Sequence, residues 1–300
     1  MVKGVISYNT LEISILSNKS GIMLQIGKYN TLEVINKVPF GYYLDGGGAG
    51  EILLSNTEAP NDCEIGSRLE VFVYHNSDER LVATFKTPLA QVDECAYLEA
   101  VSVNDVGAFV DWGLDKDILV PYSEQDFPMS EGLSYVVYVF FDENTGRVAA
   151  STRYRDFLNE ESTDFTSKQA VELLICGRTD MGYKAIINGT HLGLIFKDEV
   201  FKPLHSGDKL SGFIKRVRED GKIDLCFQFH DDHARKDLTQ QIIDDLIAHG
   251  GISTLTDKSP ADEISKRFNV SKGVYKRTLG AMYKQKRILL DKSKITLLKE

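Results

Sequence analysis

The chain has 300 residues, of which 42% are hydrophobic and 26% charged, a composition typical of globular domains and not of disordered chains. No stretch approaches eighteen consecutive apolar residues, so the sequence predicts no transmembrane helix. The net charge is −9, which argues against a nucleic-acid partner unless positive charge is concentrated in one part of the chain.

The charge is in fact unevenly distributed. Residues 31–170 hold 9 Lys/Arg and 25 Asp/Glu, a net charge of −16. Residues 171–230 hold 9 and 8, a net charge of +1, and residues 231–300 hold 14 and 10, a net charge of +4. Phosphate contacts need a locally positive surface, so an anionic partner is expected at the C-terminal part.

The amino-terminal segment gives little functional information. Residues 1–27 do not match the pattern that follows, and translation starting at Met23 is favoured over an extra strand. The segment lacks the apolar core of a signal peptide, so a cytoplasmic protein is expected.

The cysteines have no C-x-x-C spacing and are expected to be buried apolar residues and not disulfides or metal ligands: Cys63, Cys95, Cys176 and Cys226.

Two stretches, Leu32–Asp45 and Leu98–Asp111, repeat each other at a distance of 66 residues. Both contain a Leu-Glu pair, then a glycine followed two residues later by an aromatic residue and four residues later by Asp. Each stretch opens five short strand-like segments separated by turns, which is typical of a small closed barrel. Barrels are therefore predicted over 28–90 and 91–158.

A third, diverged barrel is predicted over residues 168–229, after a polar segment, Asn159–Ser167, with linker composition. Lys184 stands where the first two repeats have Tyr43 and Phe109. From about residue 234 the apolar period changes from two to 3.6. Helix, short strand, helix, turn, helix and hairpin follow in the order of a winged helix, predicted over 234–300.

The G-x-[FY]-[LV]-D pattern and the third strand at Ile118–Pro121 resemble the RNA-binding domain of ribosomal protein S-one, a five-stranded OB-fold barrel. Three such barrels followed by a winged helix resemble the conserved virulence factor B family of bacterial RNA-binding proteins. The resemblance implies a mainly β protein with an α+β C-terminal domain. It also implies a role in post-transcriptional control of gene expression.

Barrels 1 and 2 carry weaker candidates for RNA binding. In OB folds, aromatic side chains on strands two and three stack on bases. The residues of this kind are Phe40, Tyr43, Phe109 and Trp112. Because the acid excess repels phosphate, spacers or protein-contacting barrels are the favoured interpretation for these two repeats. Trp112 is equally compatible with an exposed stacking ring and a buried plug.

Barrel 3 and the winged helix carry the main candidates. In barrel 3, Tyr183 is expected in the core because it alternates with Lys184. The candidates there combine an aromatic ring with cations: Lys184, Phe196, Lys215, Arg216 and Arg218. Residues 264–290 hold eight Lys/Arg and no acid, and a helix there has one basic face. Its candidates are Lys272, Lys276, Arg277, Tyr283 and Lys284.

No catalytic signature is found, so no enzymatic activity and no cofactor are predicted. The stretch His230–His233 has metal-ligand residue types, but the sequence supplies no further spaced ligand, and a metal site is not predicted.

The favoured function is binding of single-stranded RNA through barrel 3 and the winged helix. The alternatives are a transcriptional regulator that binds duplex DNA, and an adaptor whose acidic barrels dock on a protein partner.

Overall fold

The computed structural model describes residues 23–200, 203–227, 232–268, 270–291 and 293–298. The chain divides into two compact units. One contains residues through Glu94 together with Leu98–Thr152, and the other contains Cys95–Tyr97 together with Arg153–Glu300. Of the predicted N-terminal extension, residues 1–27, residues 1–22 lie outside the described residues.

The described chain forms three closed barrels, as predicted. The strands of barrel 1 are β1 Lys28–Val38, β2 Gly41–Asp45, β3 Glu51–Ser55, β4 Arg68–His75 and β5 Leu81–Thr84. Those of barrel 2 are β6 Cys95–Val103, β7 Gly107–Val110, β8 Ile118–Pro121, β9 Ser134–Asp142 and β10 Arg147–Ser151. Those of barrel 3 are β11 Ala170–Arg178, β12 Gly182–Ile187, β13 His191–Phe196, β14 Lys209–Val217 and β15 Ile223–Cys226.

All three barrels share one topology. The first strand pairs with the second and the fourth, and the fifth strand runs parallel to the third, which closes the sheet as in an OB fold. The first strand is interrupted by a register shift at the same place in each copy, next to Val34, Ala100 and Ile175. A bulge bends the strand, which lets it pair on both sides of a small barrel.

A glycine begins the second strand of each barrel because no side chain fits there. A Cβ atom would lie 2.2 Å from the Leu54 carbonyl oxygen at Gly41 and 2.3 Å from that of Val120 at Gly107. At Gly182 the corresponding distance, to the carbonyl oxygen of Ile195, is 1.9 Å. These contacts are far below van der Waals distance, so the glycine that the sequence pattern repeats is required by the close approach of the third strand.

The segment before barrel 3 is packed and is not a free linker, contrary to its composition. Asn159 forms a parallel bridge with His191, and its carbonyl oxygen accepts a hydrogen bond from the Leu192 amide at 2.9 Å. Farther along, the Ser162 amide donates to the Gly221 carbonyl oxygen at 3.1 Å. Backbone hydrogen bonds thus fix polar residues that carry no hydrophobic signal in the sequence.

The C-terminal domain has the predicted winged-helix order. Its elements are α1 Asp232–Ala248, β16 Ile252–Ser253, α2 Ala261–Phe268, α3 Lys272–Lys284, β17 Ile288–Leu290 and β18 Ile295–Leu297, and the sheet order is β16-β18-β17. The apolar face of α3 includes Val274, Leu279 and Met282, which are buried in one core with residues of α1 and α2. Among the described residues, no helix is long and apolar enough to cross a membrane.

Candidate nucleic-acid interface

The outer face of each barrel can be described by three rows of residues across its second, third and fifth strands. The glycine row pairs the strand-opening glycine with Ser55, Pro121 or Phe196 in barrels 1, 2 and 3. The middle row consists of Tyr43, Leu53 and Val82 in barrel 1, Phe109, Leu119 and Ala149 in barrel 2, and Lys184, Leu194 and Asp224 in barrel 3. Equivalent positions of the copies can therefore be compared directly.

The third row separates barrel 3 most clearly from the others. It consists of Asp45 opposite Glu51 in barrel 1, and of Asp111 and Asp117 in barrel 2, one residue beyond the Val110 and Ile118 pair. In barrel 3 the same positions hold Ile186 and Leu192, which are both buried. Two carboxylates facing each other across a strand pair repel an approaching phosphate, whereas the apolar pair does not.

A groove of about 410 Å³ runs along the outer face of barrel 3. Its lining combines apolar and charged side chains: Met181, Lys184, Leu192, Leu194, Arg218, Lys222, Glu160 and Asp180 are among them. Phe196 belongs to the same strand face as Leu194, because the two are two residues apart on β13. The Arg218 guanidinium carbon lies 5.6 Å from the centroid of the Phe196 ring, within the range of a cation–π contact.

Asp224 holds the two arginines of this face in place. It is 1% exposed and accepts hydrogen bonds from Nε of Arg216 at 2.7 Å and from Nε of Arg218 at 2.8 Å. Burial by itself raises the pKa of this carboxyl, but the hydrogen bonds and charges of Arg218 and Arg216 outweigh it and hold the pKa below its usual value. The triad therefore keeps one net positive charge at the surface.

Glu199 plays a similar part between barrel 3 and the winged helix. This residue is 5% exposed, and its Oε1 lies 2.8 Å from Nζ of Lys215 on β14. The same oxygen lies 3.8 Å from a guanidinium nitrogen of Arg277 on α3. Lys215 and Arg277 were predicted as RNA ligands from the sequence, and the structure gives both of them a partner that joins the two domains.

The solvent-facing side of α3 is basic, as its sequence pattern predicts. Lys276, Arg277, Tyr283 and Lys284 are exposed, whereas Val274, Thr278 and Met282 on the opposite side are buried. Ser271 caps the helix by accepting a hydrogen bond from the Val274 amide at 3.3 Å. Lys272 is half-buried, and its Nζ lies 3.2 Å from the Lys258 carbonyl oxygen.

The weaker candidates of barrels 1 and 2 differ among themselves. Phe40 is exposed and makes an edge-to-face contact with Tyr43, with the ring centroids 6.5 Å apart, and Phe109 is half-buried in the middle row. For Trp112 the sequence left an exposed stacking ring and a buried plug open, and the structure shows the buried side chain, so Trp112 is not available for base stacking. It is 3% exposed and packs against Phe72 and Tyr74 of barrel 1, at centroid distances of 5.6 Å and 6.1 Å.

Sequence reasoning missed the two carboxylates that position the cations. A signal for Asp224 was present, since it is a charged residue inside the apolar strand Ile223–Cys226. Glu199 lies in a short turn after β13 and gives no such signal.

The metal candidate His230–His233 lies outside the residues whose side chains are described. In the part of the chain that is described, no group of three or more His, Cys, Asp or Glu residues could hold a metal ion.

Comparison with known proteins agrees with this architecture. The sequence model of the S1 domain matches residues 26–86, and that of the CvfB-like winged helix domain matches residues 240–297. YitL of Bacillus subtilis is 31% identical over 284 residues, which cover 90% of this chain and 93% of that protein. Conserved virulence factor B of Staphylococcus epidermidis is 28% identical, with coverages of 92% and 95%.

Among solved structures, a multidomain protein with nucleic acid binding domains from Streptococcus pneumoniae is 22% identical to this chain. The match covers 91% of this chain and 98% of that one, with a TM-score of 0.39. Both domain types matched in the sequence are nucleic-acid-binding modules and not catalytic ones.

Proposed function

Because the chain belongs to the conserved virulence factor B family, we propose that it is a bacterial, cytoplasmic RNA-binding protein that regulates gene expression after transcription. Barrel 3 and the winged helix bind single-stranded RNA, and barrels 1 and 2 do not. Bases stack on apolar and aromatic side chains, phosphates meet Lys and Arg, and base edges are read little.

One observation carries the proposal, namely the difference between the rows of the three barrels. Barrel 3 offers Lys184 and Leu194 in its middle row and Phe196 in its glycine row, and its third row is buried and carries no carboxylate. Barrels 1 and 2 place two carboxylates in that third row. An RNA strand that stacks a base on barrel 3 brings its phosphates toward Lys184 and Arg218, whereas on barrels 1 and 2 it meets acids.

The basic face of α3 extends this surface. Lys276 and Lys284 are exposed on it, with Tyr283 between them, and Arg277 reaches Glu199 of barrel 3. A strand that leaves the barrel 3 groove can therefore continue onto cations and an aromatic ring of the winged helix. Several phosphate contacts of this kind make the affinity strongly dependent on salt.

The test uses the full chain and a single-stranded RNA of 20 nucleotides and mixed sequence, with fluorescence anisotropy at physiological salt. The double variant Lys184→Ala/Phe196→Ala should bind at least 10-fold more weakly, because it loses a phosphate contact and a stacking ring. The matched control is Tyr43→Ala/Ser55→Ala, which changes the same two positions of barrel 1 and should stay within twofold of wild type. Equal losses in both variants would contradict the proposal.

A second candidate is a regulator that binds duplex DNA through α3, and it is favoured by the basic exposed helix of a winged-helix domain. Competition separates the two candidates. Unlabelled single-stranded RNA should displace labelled RNA from the intact protein at a concentration at least 10-fold below that of duplex DNA of the same length. The reverse order would favour the DNA-binding function.

A further inference from the structure

Barrel 2 exposes an apolar surface at the position where barrel 3 has its groove. Phe109 and Leu119 face each other in the middle row. Val106 and Tyr122, in the loops at the glycine end of the same strand pair, are 51% and 50% exposed. The Tyr122 hydroxyl donates to the Asn104 carbonyl oxygen at 2.6 Å, which fixes the tyrosine beside the loop that carries Val106.

These four residues, Val106, Phe109, Leu119 and Tyr122, are called here the barrel 2 face. Val106 and Tyr122 are exposed and Phe109 and Leu119 are half-buried, and apolar side chains that reach the surface inside a polar rim are typical of sites where another molecule binds. The rim is acidic, since Asp105 precedes Val106, and Asp111 and Asp117 form the third row next to Phe109 and Leu119.

The acids on this rim have few basic neighbours in the sequence. Residues 95–146 hold ten Asp/Glu and one basic residue, Lys116, whose Nζ is 2.7 Å from Oε1 of Glu79. Partial burial and repulsion by Asp111 raise the pKa of the Asp117 carboxyl, as expected for two like charges held close together. A cation bound at the third row would relieve this repulsion, whereas a phosphate would increase it.

We propose that the barrel 2 face docks a basic segment of a partner protein, in which Lys or Arg residues flank an apolar or aromatic side chain. The apolar side chain packs on Phe109 and Leu119, and a cation pairs with Asp111 and Asp117. The proposal does not depend on the RNA-binding function, because it concerns a different barrel and a ligand of opposite charge.

The strand geometry also specifies the spacing within the bound segment. Phe109 and Asp111 are two residues apart on one side of the strand, which corresponds to about 6.6 Å at roughly 3.3 Å per residue. An extended segment running alongside therefore matches the surface when its apolar residue and its Lys or Arg are also two residues apart. This alternation places both side chains on the side of the segment that faces barrel 2.

A peptide of this pattern tests the proposal with the intact protein. The probe is a fluorescein-labelled peptide with the central sequence Lys-Ser-Phe-Ser-Arg between Gly-Ser ends, and its affinity is measured by anisotropy. Asp111→Asn/Asp117→Asn should weaken binding at least 10-fold, as should Phe109→Ser. The control Glu131→Gln/Glu143→Gln removes two exposed charges from other loops of barrel 2 and should leave the affinity within twofold of wild type.

The Asp111→Asn/Asp117→Asn variant should fold correctly, because Asn can keep the local hydrogen bond of Asp111. Oδ1 of Asp111 accepts a hydrogen bond from the Gly113 amide at 2.7 Å, and the amide oxygen of Asn can accept the same bond. The proposal is overturned if the peptide binds Asp111→Asn/Asp117→Asn and the control variant equally. It is overturned as well if a peptide with Glu in place of Lys and Arg binds the wild-type protein as tightly as the basic peptide does. It is also overturned if Phe109→Ser weakens binding of single-stranded RNA 10-fold, which would make this face a nucleic-acid surface.

Discussion

Barrel 2 and barrel 3 have the same strand order, the same bulge and the same strand-opening glycine, but they use their outer residues differently. In barrel 2, the middle row is Phe109, Leu119 and Ala149 and the third row is acidic. In barrel 3, Lys184 and the buried Asp224 flank Leu194 in the middle row, and the third row is apolar. The fold depends on inward-facing residues and on backbone contacts. The residues of the outer rows can therefore differ between the barrels, and suit different ligands, without any change in topology.

The two barrels also differ in what their aromatic residues do. Trp112 of barrel 2 is buried against Phe72 and Tyr74 of barrel 1, and its indole Nε1 donates to the Lys116 carbonyl oxygen at 2.6 Å. Phe196 of barrel 3 is half-buried and lies under the Arg218 guanidinium. The first arrangement stabilises the joint between two barrels, and the second leaves a ring at a charged surface.

The largest expected effect is that of Trp112→Ala on stability. Removing a buried aromatic side chain costs about 3–5 kcal/mol of unfolding free energy. Hydrogen exchange measured by mass spectrometry should show faster exchange in β4 and β7, and RNA affinity should stay within twofold of wild type. Phe196→Ala is the matched control, with little change in exchange. A large loss of RNA affinity in Trp112→Ala with unchanged exchange would contradict the structural role of this residue.

A smaller stability effect is expected from Asp224→Ala, which tests the residue that distinguishes the middle row of barrel 3. Removing one partner of a buried ion pair costs about 3–5 kcal/mol. The loss here should lie at the lower end of that range, because the Arg216 side chain, at 65% exposure, remains hydrated. Asp180→Ala, which removes an exposed acid of the same barrel, is the control and should change stability little.

The stability difference between wild type and Asp224→Ala should also depend on pH. The folded-state pKa of Asp224 is lowered, so its contribution is fully present above the ordinary Asp pKa of about 4 and is lost as the pH falls through the folded-state value. Denaturant unfolding at several pH values should therefore give a constant difference from neutral pH to about pH 4, and a smaller one below. A difference that stays constant down to pH 2 would show that the charge of Asp224 is not responsible.

The fold could be predicted from the sequence because its determinants are local or repeated. Period-two alternation, turn residues and the recurring glycine define the strands of each barrel. At Gly41, Gly107 and Gly182 a carbonyl oxygen of the third strand leaves no room for a Cβ atom, which explains why the glycine recurs. The change of apolar period predicted the C-terminal helices in the same way.

The functional surface was less predictable because it depends on contacts between distant segments. The sequence shows that Lys215, Arg216 and Arg218 are cations, but not that Glu199 and Asp224 bind them. It likewise leaves Trp112 undecided between surface and interior, because nothing local specifies which side of barrel 2 meets barrel 1. Tyr183 was placed correctly in the core because alternation with Lys184 is a local property.

The smallest effect, and the most direct exchange between the two barrels, is expected from Lys184→Phe, which gives barrel 3 the middle-row residue of barrel 2. The variant loses one phosphate contact but gains a ring on which a base can stack. The slope of log affinity against log salt should therefore become shallower by about 0.7, the value for one contact to a single strand. Stacking contributes about 1–3 kcal/mol per base, so the affinity itself should fall only at low salt and recover at high salt.

The reciprocal variant, Phe109→Lys, is the control for this exchange. Its new cation lies beside Asp111 and Asp117, which neutralise it locally, so neither the salt slope nor the affinity for single-stranded RNA should change. Both slopes are measured by anisotropy titrations at salt concentrations from about 50 to about 300 mM. If Phe109→Lys steepens the slope as much as Lys184→Phe flattens it, then a single cation suffices for RNA binding on either barrel, and the acidic third row is not what keeps RNA away from barrel 2.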